Sequence, residues 1–201
     1  MSREENLRRL EQLRNQVRVL EDELARPEPG EHWAEGRYYT AYHVLAGMML
    51  GFLAAASSLL FNVVGSLLIR QHPMEIIRVY LTFPLGERAL SIESGAILAL
   101  GCCLYLSTGV VFGVLFHLVL SRFFEGRPPV QRWGVVTAMG LALWVVNYYG
   151  VLSWLQPALF GGDWIVRLVP AWVAALTHLV FAWTLLVADD LGRFDREGHL
   201  K

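Results

Sequence analysis

The sequence predicts an all-α, polytopic membrane protein. The expected architecture is an antiparallel four-helix transmembrane bundle behind an N-terminal amphipathic, coiled-coil-like helix, with one interfacial helix between the first two spans. Three observations lead there. Of the 201 residues, 55% are hydrophobic and the mean hydropathy is +0.41, too apolar for a soluble domain of this size. The excess falls in four blocks, each exceeding the roughly 20 residues that cross a bilayer as a helix. Charge is segregated: residues 1–37 are rich in Arg and Glu, whereas the apolar blocks hold almost none. The net charge of -1 gives no field that points to nucleic acid.

The N-terminal arm, residues 1–37, opens with Ser2 and Glu5 at capping-box spacing. Leu10, Leu13, Val17, Leu20 and Leu24 follow at alternating steps of three and four, the seam of a coiled coil. This stripe is expected to dock on a cytoplasmic partner or a second copy. Pro27, Pro29 and Gly30 break the helix into a linker. No cleavable leader is visible, so the first span is expected to serve as an uncleaved insertion signal.

The bundle is expected over residues 38–190, with spans at about 40–68, 94–120, 133–155 and 165–188. Tyr38, Tyr39 and Tyr42 at its start form an interfacial aromatic belt. Residues 74–83 are apolar on one side with Glu75 and Arg78 on the other, too short to span. They are read as an interfacial helix ended by Pro84 and Gly86. Arg122, Arg127 and Arg132 surround Pro128 and Pro129 in a polar turn, and Pro157, Gly161 and Gly162 mark the next connection. A polar tail, residues 191–201, closes the chain, and its approach from Asp189 onward is expected to fray. The Arg-rich arm and the 2–3 turn favour both termini on the cytoplasmic side, while Arg70, Arg78 and Arg88 oppose that assignment.

Each span carries a stripe of small and polar residues. Gly47 and Gly51 in the first and Gly109 and Gly113 in the second are spaced for close backbone approach, which drives helix association where lipid supplies no hydrophobic force. Polar side chains on those stripes escape lipid by facing inward. The adjacent Cys102 and Cys103 point to different sides of a helix and are read as small core residues.

Two candidate sites emerge. Counting helical rise, His43 and His117 fall at similar depth near the cytoplasmic ends of spans one and two. Facing histidines on two bundle helices are an axial haem pair, so haem b on His43 and His117 is one expectation. The first reading is that no cofactor is bound and that both histidines are hydrogen-bonded. A metal site is not expected, because no carboxylate joins the histidine pair. Asn62, Tyr105, Asn147, Tyr148 and Arg167 form a second, polar set that would line a quinone or lipid headgroup pocket, or else an interhelical network. With no Asp or Glu expected in a span core, a proton- or ion-coupled pump is disfavoured. No nucleophile triad, phosphate loop or zinc motif is present.

The Gly-rich second span ending in His117, the run Trp144-Val-Val-Asn147-Tyr-Tyr, His178 in the last span, and the block Ile77–Glu87 together resemble small, uncharacterised bacterial four-span membrane proteins. That resemblance implies a place beside respiratory machinery in a bacterial inner membrane. The expected function is a non-catalytic accessory subunit that packs against other membrane subunits. A haem- or quinone-binding electron-transfer protein is the alternative, and a small-solute or lipid transporter the third.

Overall fold

The computed structural model describes residue 9, residues 13–18 and residues 31–193. Contacts divide the chain into two units, Met1–Tyr42 and His43–Lys201. In the first, residues 13–18 are helical, and Leu13 and Val17 are exposed, 55% and 52%. Leu10, Leu20 and Leu24, the capping box and the Pro27–Gly30 linker lie outside the described residues, as does most of the tail.

Seven helices follow in order: α1 Glu31–Leu68, α2 Glu75–Leu85, α3 Gly95–Phe123, α4 Pro129–Val145, α5 Leu155–Phe160, α6 Trp164–Leu168 and α7 Ala171–Arg193. A 3-10 turn, Gly86–Ser91, follows α2, and a π-helical stretch, Val146–Leu152, continues α4. Four segments are long and apolar enough to cross a membrane: Tyr39–Leu68, Gly95–Phe123, Pro129–Phe160 and Ala171–Gly192. The chain is thus an all-α, multi-pass membrane protein with four packed spans.

The ends of these helices have local causes. After Leu68, Arg70 adopts a left-handed φ of 61°. Its N–H bonds to Leu67 O at 3.1 Å and that of Gln71 to Ser66 O at 2.8 Å. This is the reversal that usually employs glycine, and Arg there costs about 1 kcal/mol in backbone strain. α2 runs one residue past Pro84 and stops at Gly86, whose φ is 64°. Proline is tolerated there because its missing N–H costs one bond in the last turn. α2 forms the expected short helix and packs against α3. Part of its apolar face turns inward: Ile77 and Leu81 are 0% and 1% exposed, packed over Gly101 of α3.

α4 starts at Pro129, a turn earlier than expected. Proline at the first helical positions has its φ preset and no N–H to waste. The largest correction concerns the fourth span, expected from 165. Val169 is extended (φ -99°, ψ 113°) because the ring of Pro170 excludes the helical region for the residue before it. The chain therefore breaks, and the span is α7, starting at Ala171. At the other end α7 continues to Arg193, so Asp189 and Asp190 sit in the helix and not in a fraying tail.

Close packing follows the predicted glycines. A Cβ on Gly47 would lie 2.7 Å from Val114 Cα, and one on Gly51 2.8 Å from Gly113 Cα, so α1 and α3 meet backbone to backbone. Gly140 does the same for α4 and α7, where a Cβ would come 3.2 Å from His178 O. Ala54, Ala55, Phe116, Leu120, Val136 and the α7 residues Phe181, Ala182, Leu185 and Leu186 form the main core. A second cluster gathers Val79, Tyr148, Ile165, Val169 and Ala174 around the α4–α6 connection.

Candidate functional site: an ionic chain and an apolar cavity

At the end of the bundle that holds the start of the first span, four helices are joined by one polar chain. His43 Nδ1 of α1 lies 3.1 Å from His117 Nε2 of α3. His117 Nδ1 lies 2.9 Å from Asp189 Oδ1 of α7. Asp189 Oδ2 accepts from Arg132 Nη2 of α4 at 2.6 Å, and Arg132 Nη1 donates to Asp190. His117, Asp189 and Arg132 are buried, 6%, 5% and 8% exposed. The carboxylate accepts, so Nδ1 of His117 carries the hydrogen. In the neutral ring its Nε2 then accepts from His43, so hydrogens run from His43 through His117 to Asp189, which accepts from Arg132 on its other side. Charges at this depth are tolerated because each meets a partner.

This arrangement revises two expectations. A carboxylate does stand in a span, beside the histidine pair. Among the described residues, however, no group of three or more His, Cys, Asp or Glu side chains is placed to hold a metal. An axial haem pair needs its ring nitrogens about 4 Å apart, two metal–nitrogen bonds in line, with the macrocycle between. Here the rings touch through a hydrogen bond, their centroids 5.2 Å apart, and Gly47 packs on the α3 backbone alongside. His43 and His117 are brought together as predicted, but as a hydrogen-bonded pair without a slot for haem.

Toward the other end lies a half-open cavity of about 780 Å³ lined by α1, α2, α3, α4 with its π stretch, α6 and α7. Its walls are mainly apolar: Ala55, Ile76, Phe83, Leu104, Phe112, Leu143, Val151, Ile165 and Phe181. Polar groups enter in pairs. Tyr105 Oη and Ser58 Oγ are 2.5 Å apart, Tyr80 Oη and Thr108 Oγ1 2.7 Å, and Asn147 Nδ2 and His178 Nε2 3.5 Å. None of the residues lining it is Asp, Glu, Lys or Arg.

The predicted polar set is only partly assembled here. Tyr105, Asn147 and Tyr148 line the cavity. Asn62 stands behind the wall, its Nδ2 donating to Ser58 O at 2.8 Å and its Oδ1 accepting from Thr177 at 3.2 Å. Tyr148 Oη points away to the carbonyls of Val166 and Val169, each 2.8 Å distant, and so pins the break before Pro170. Arg167 does not join: its side chain is 65% exposed and faces Asp163 at 3.9 Å. The break in the fourth span puts it in a five-residue helix outside the bundle core.

The wall is braced by a fully buried residue that sequence reasoning passed over. Gln156 Nε2 donates to Thr82 Oγ1 at 3.0 Å, and its Oε1 accepts from the Ile165 N–H at 3.2 Å. Thr82 in turn donates to Val79 O at 2.6 Å. α5 is thereby tied to α2 and α6. The π stretch is adjacent: Asn147, Tyr148, Val151 and Leu152 all line the cavity. Such widened turns recur where a helix must aim side chains at a site.

Arg132 and Asp189 were legible in one respect. Both fall by helical rise at the same end as His43 and His117, so depth counting carried through span four would have placed them in that layer. Gln156 gave no such signal.

No known protein family, curated protein or solved structure matches the chain.

Proposed function

We propose that this protein is a non-catalytic membrane subunit whose bundle holds an uncharged amphiphile of the quinone–quinol type. The cavity carries the reading. At about 780 Å³ it is of ligand size, its wall is apolar with a few hydrogen-bonding groups, and no ionised side chain lines it to bind a phosphate or carboxylate. Its polar groups are hydroxyls, an amide and an imidazole, suited to orienting a ligand. A role beside larger membrane partners, in respiratory machinery of a bacterial inner membrane, extends this reading. It is supported by the exposed Leu13 and Val17 on one helical face of the arm.

Native mass spectrometry after gentle solubilisation tests both parts. We expect a neutral small molecule of apolar character bound to the chain, and partner chains co-purifying with it. Val151→Phe, which fills part of the cavity, should lower ligand occupancy several-fold while the protein stays monodisperse. An empty wild-type chain would remove the ligand role; a lone monomer would remove the subunit role.

The Arg-rich arm supports both termini in the cytoplasm. The even number of spans keeps the ends on one side, and the 2–3 turn with Arg122 and Arg127 lies on that side too. Side-specific labelling of that turn decides it.

A further inference from the structure

We infer that the ligand of the cavity carries a hydroxyl group that inserts between Asn147 and His178, a conclusion that rests on the proposed ligand cavity. His178 Nδ1 lies 2.7 Å from the carbonyl oxygen of Ala174, one turn back on α7. A carbonyl only accepts, so Nδ1 carries a hydrogen. The Asn147 amide nitrogen faces Nε2, so Nε2 is an acceptor. Donor and acceptor are thus matched, but they stand 3.5 Å apart, well beyond the usual 2.9–3.0 Å of an N–H hydrogen bond. Both residues line the cavity, within an apolar stretch where little water competes for them.

The neighbouring polar pairs are not loose in this way. Tyr80 and Thr108 are 2.7 Å apart, and Thr108 passes its own hydrogen to Leu104 O at 2.9 Å. The Asn147–His178 pair is where the wall retains unspent hydrogen-bonding capacity of both kinds. A hydroxyl is the smallest group that is donor and acceptor at once. Once a small swing of the Asn147 side chain opens the pair, it would donate to His178 Nε2 and accept from Asn147 Nδ2, replacing one long contact by two good ones. A ketone or ether satisfies Asn147 alone and leaves the imidazole nitrogen facing apolar matter, which a site of this kind penalises. The ligand class is therefore an uncharged phenol, quinol or alcohol with an apolar body.

The test compares para-octylphenol with its methyl ether, para-octylanisole, as probes of nearly equal apolar bulk. Binding is measured by titration calorimetry on the full chain in lipid nanodiscs. The wild type is expected to bind the phenol about tenfold more tightly. Asn147→Leu and His178→Phe should each bring the ratio close to one while both probes still bind; the pair guards against one variant failing to fold. Equal affinities in the wild type, or discrimination that survives both substitutions, overturn the hydroxyl assignment and leave the cavity reading in place. Binding of neither probe by a folded wild-type chain overturns the cavity reading itself.

Discussion

Asp189 shows how one side chain changes meaning with its surroundings. In the sequence it reads as the first residue of a polar tail. In the structure it is 5% exposed and joins His117 to Arg132. An ionised pair in an apolar bundle costs several kcal/mol per ion to desolvate, and breaking it from one side leaves a charge uncompensated. Arg132→Met should therefore lower stability by about 3–5 kcal/mol. Adding Asp189→Asn should recover a large part of that loss, because the stranded charge goes with it. Thermal unfolding of the detergent-solubilised single and double variants measures both. An Arg132→Met protein as stable as wild type would mean that the chain of hydrogen bonds contributes nothing to holding the four helices. The histidine pair was readable from depth alone, since His43 and His117 count to the same layer. Their neighbours reach that layer by the same count but were passed over, because Arg132 looked like a topology signal and Asp189 like solvent-exposed chain.

Among the elements, the α1–α3 pair was the most legible. Glycines at steps of four predicted close approach, and a Cβ on Gly113 would lie 2.6 Å from Gly47 O. The obstacle is backbone, so no side chain can swing aside. Gly113→Ala is expected to destabilise by about 2–3 kcal/mol or to prevent assembly. Gly65 on the same helix as Gly47 is the control: a Cβ there meets nothing within 4 Å, and Gly65→Ala should be neutral or gain up to about 1 kcal/mol from helix propensity. Equal responses at the two sites, read from unfolding midpoints, would show that these glycines are not packing devices. The fourth span was misread at this scale. Hydropathy runs unbroken from Ile165, but Pro170 forces Val169 out of the helix, and local backbone sterics outweigh an apolar run. The packing of α2 was not legible for a different reason. Its amphipathic pattern is the same whether an apolar residue meets lipid or another helix, and only the tertiary structure shows Ile77 and Leu81 packed over Gly101.

For the whole molecule, four spans and an antiparallel course account for the placement of every charged cluster described. The ionic chain sits at the end where α3 turns into α4; the α2 region, α5 and α6 close the opposite end. If both termini are cytoplasmic, Glu125→Cys in a background with Cys102→Ala and Cys103→Ala should resist an impermeant maleimide in intact cells and react after lysis. Asp163→Cys in the same background should react in intact cells. The reverse pattern would invert the orientation and place the cavity in the cytoplasmic half.

The sequence by itself determined that there are four spans, the glycine-mediated helix contact and the common depth of the histidine pair. Each of these depends on composition, period or helical rise, which are properties of one segment at a time. Only the tertiary structure decided that Asp189 and Arg132 complete the chain from His43, that Gln156 braces α5 against α2 and α6, and that Asn147 and His178 face each other loosely across a cavity. Those facts depend on side chains from helices far apart in sequence, and the distances between them are set by how the backbones pack, which no single-segment pattern encodes.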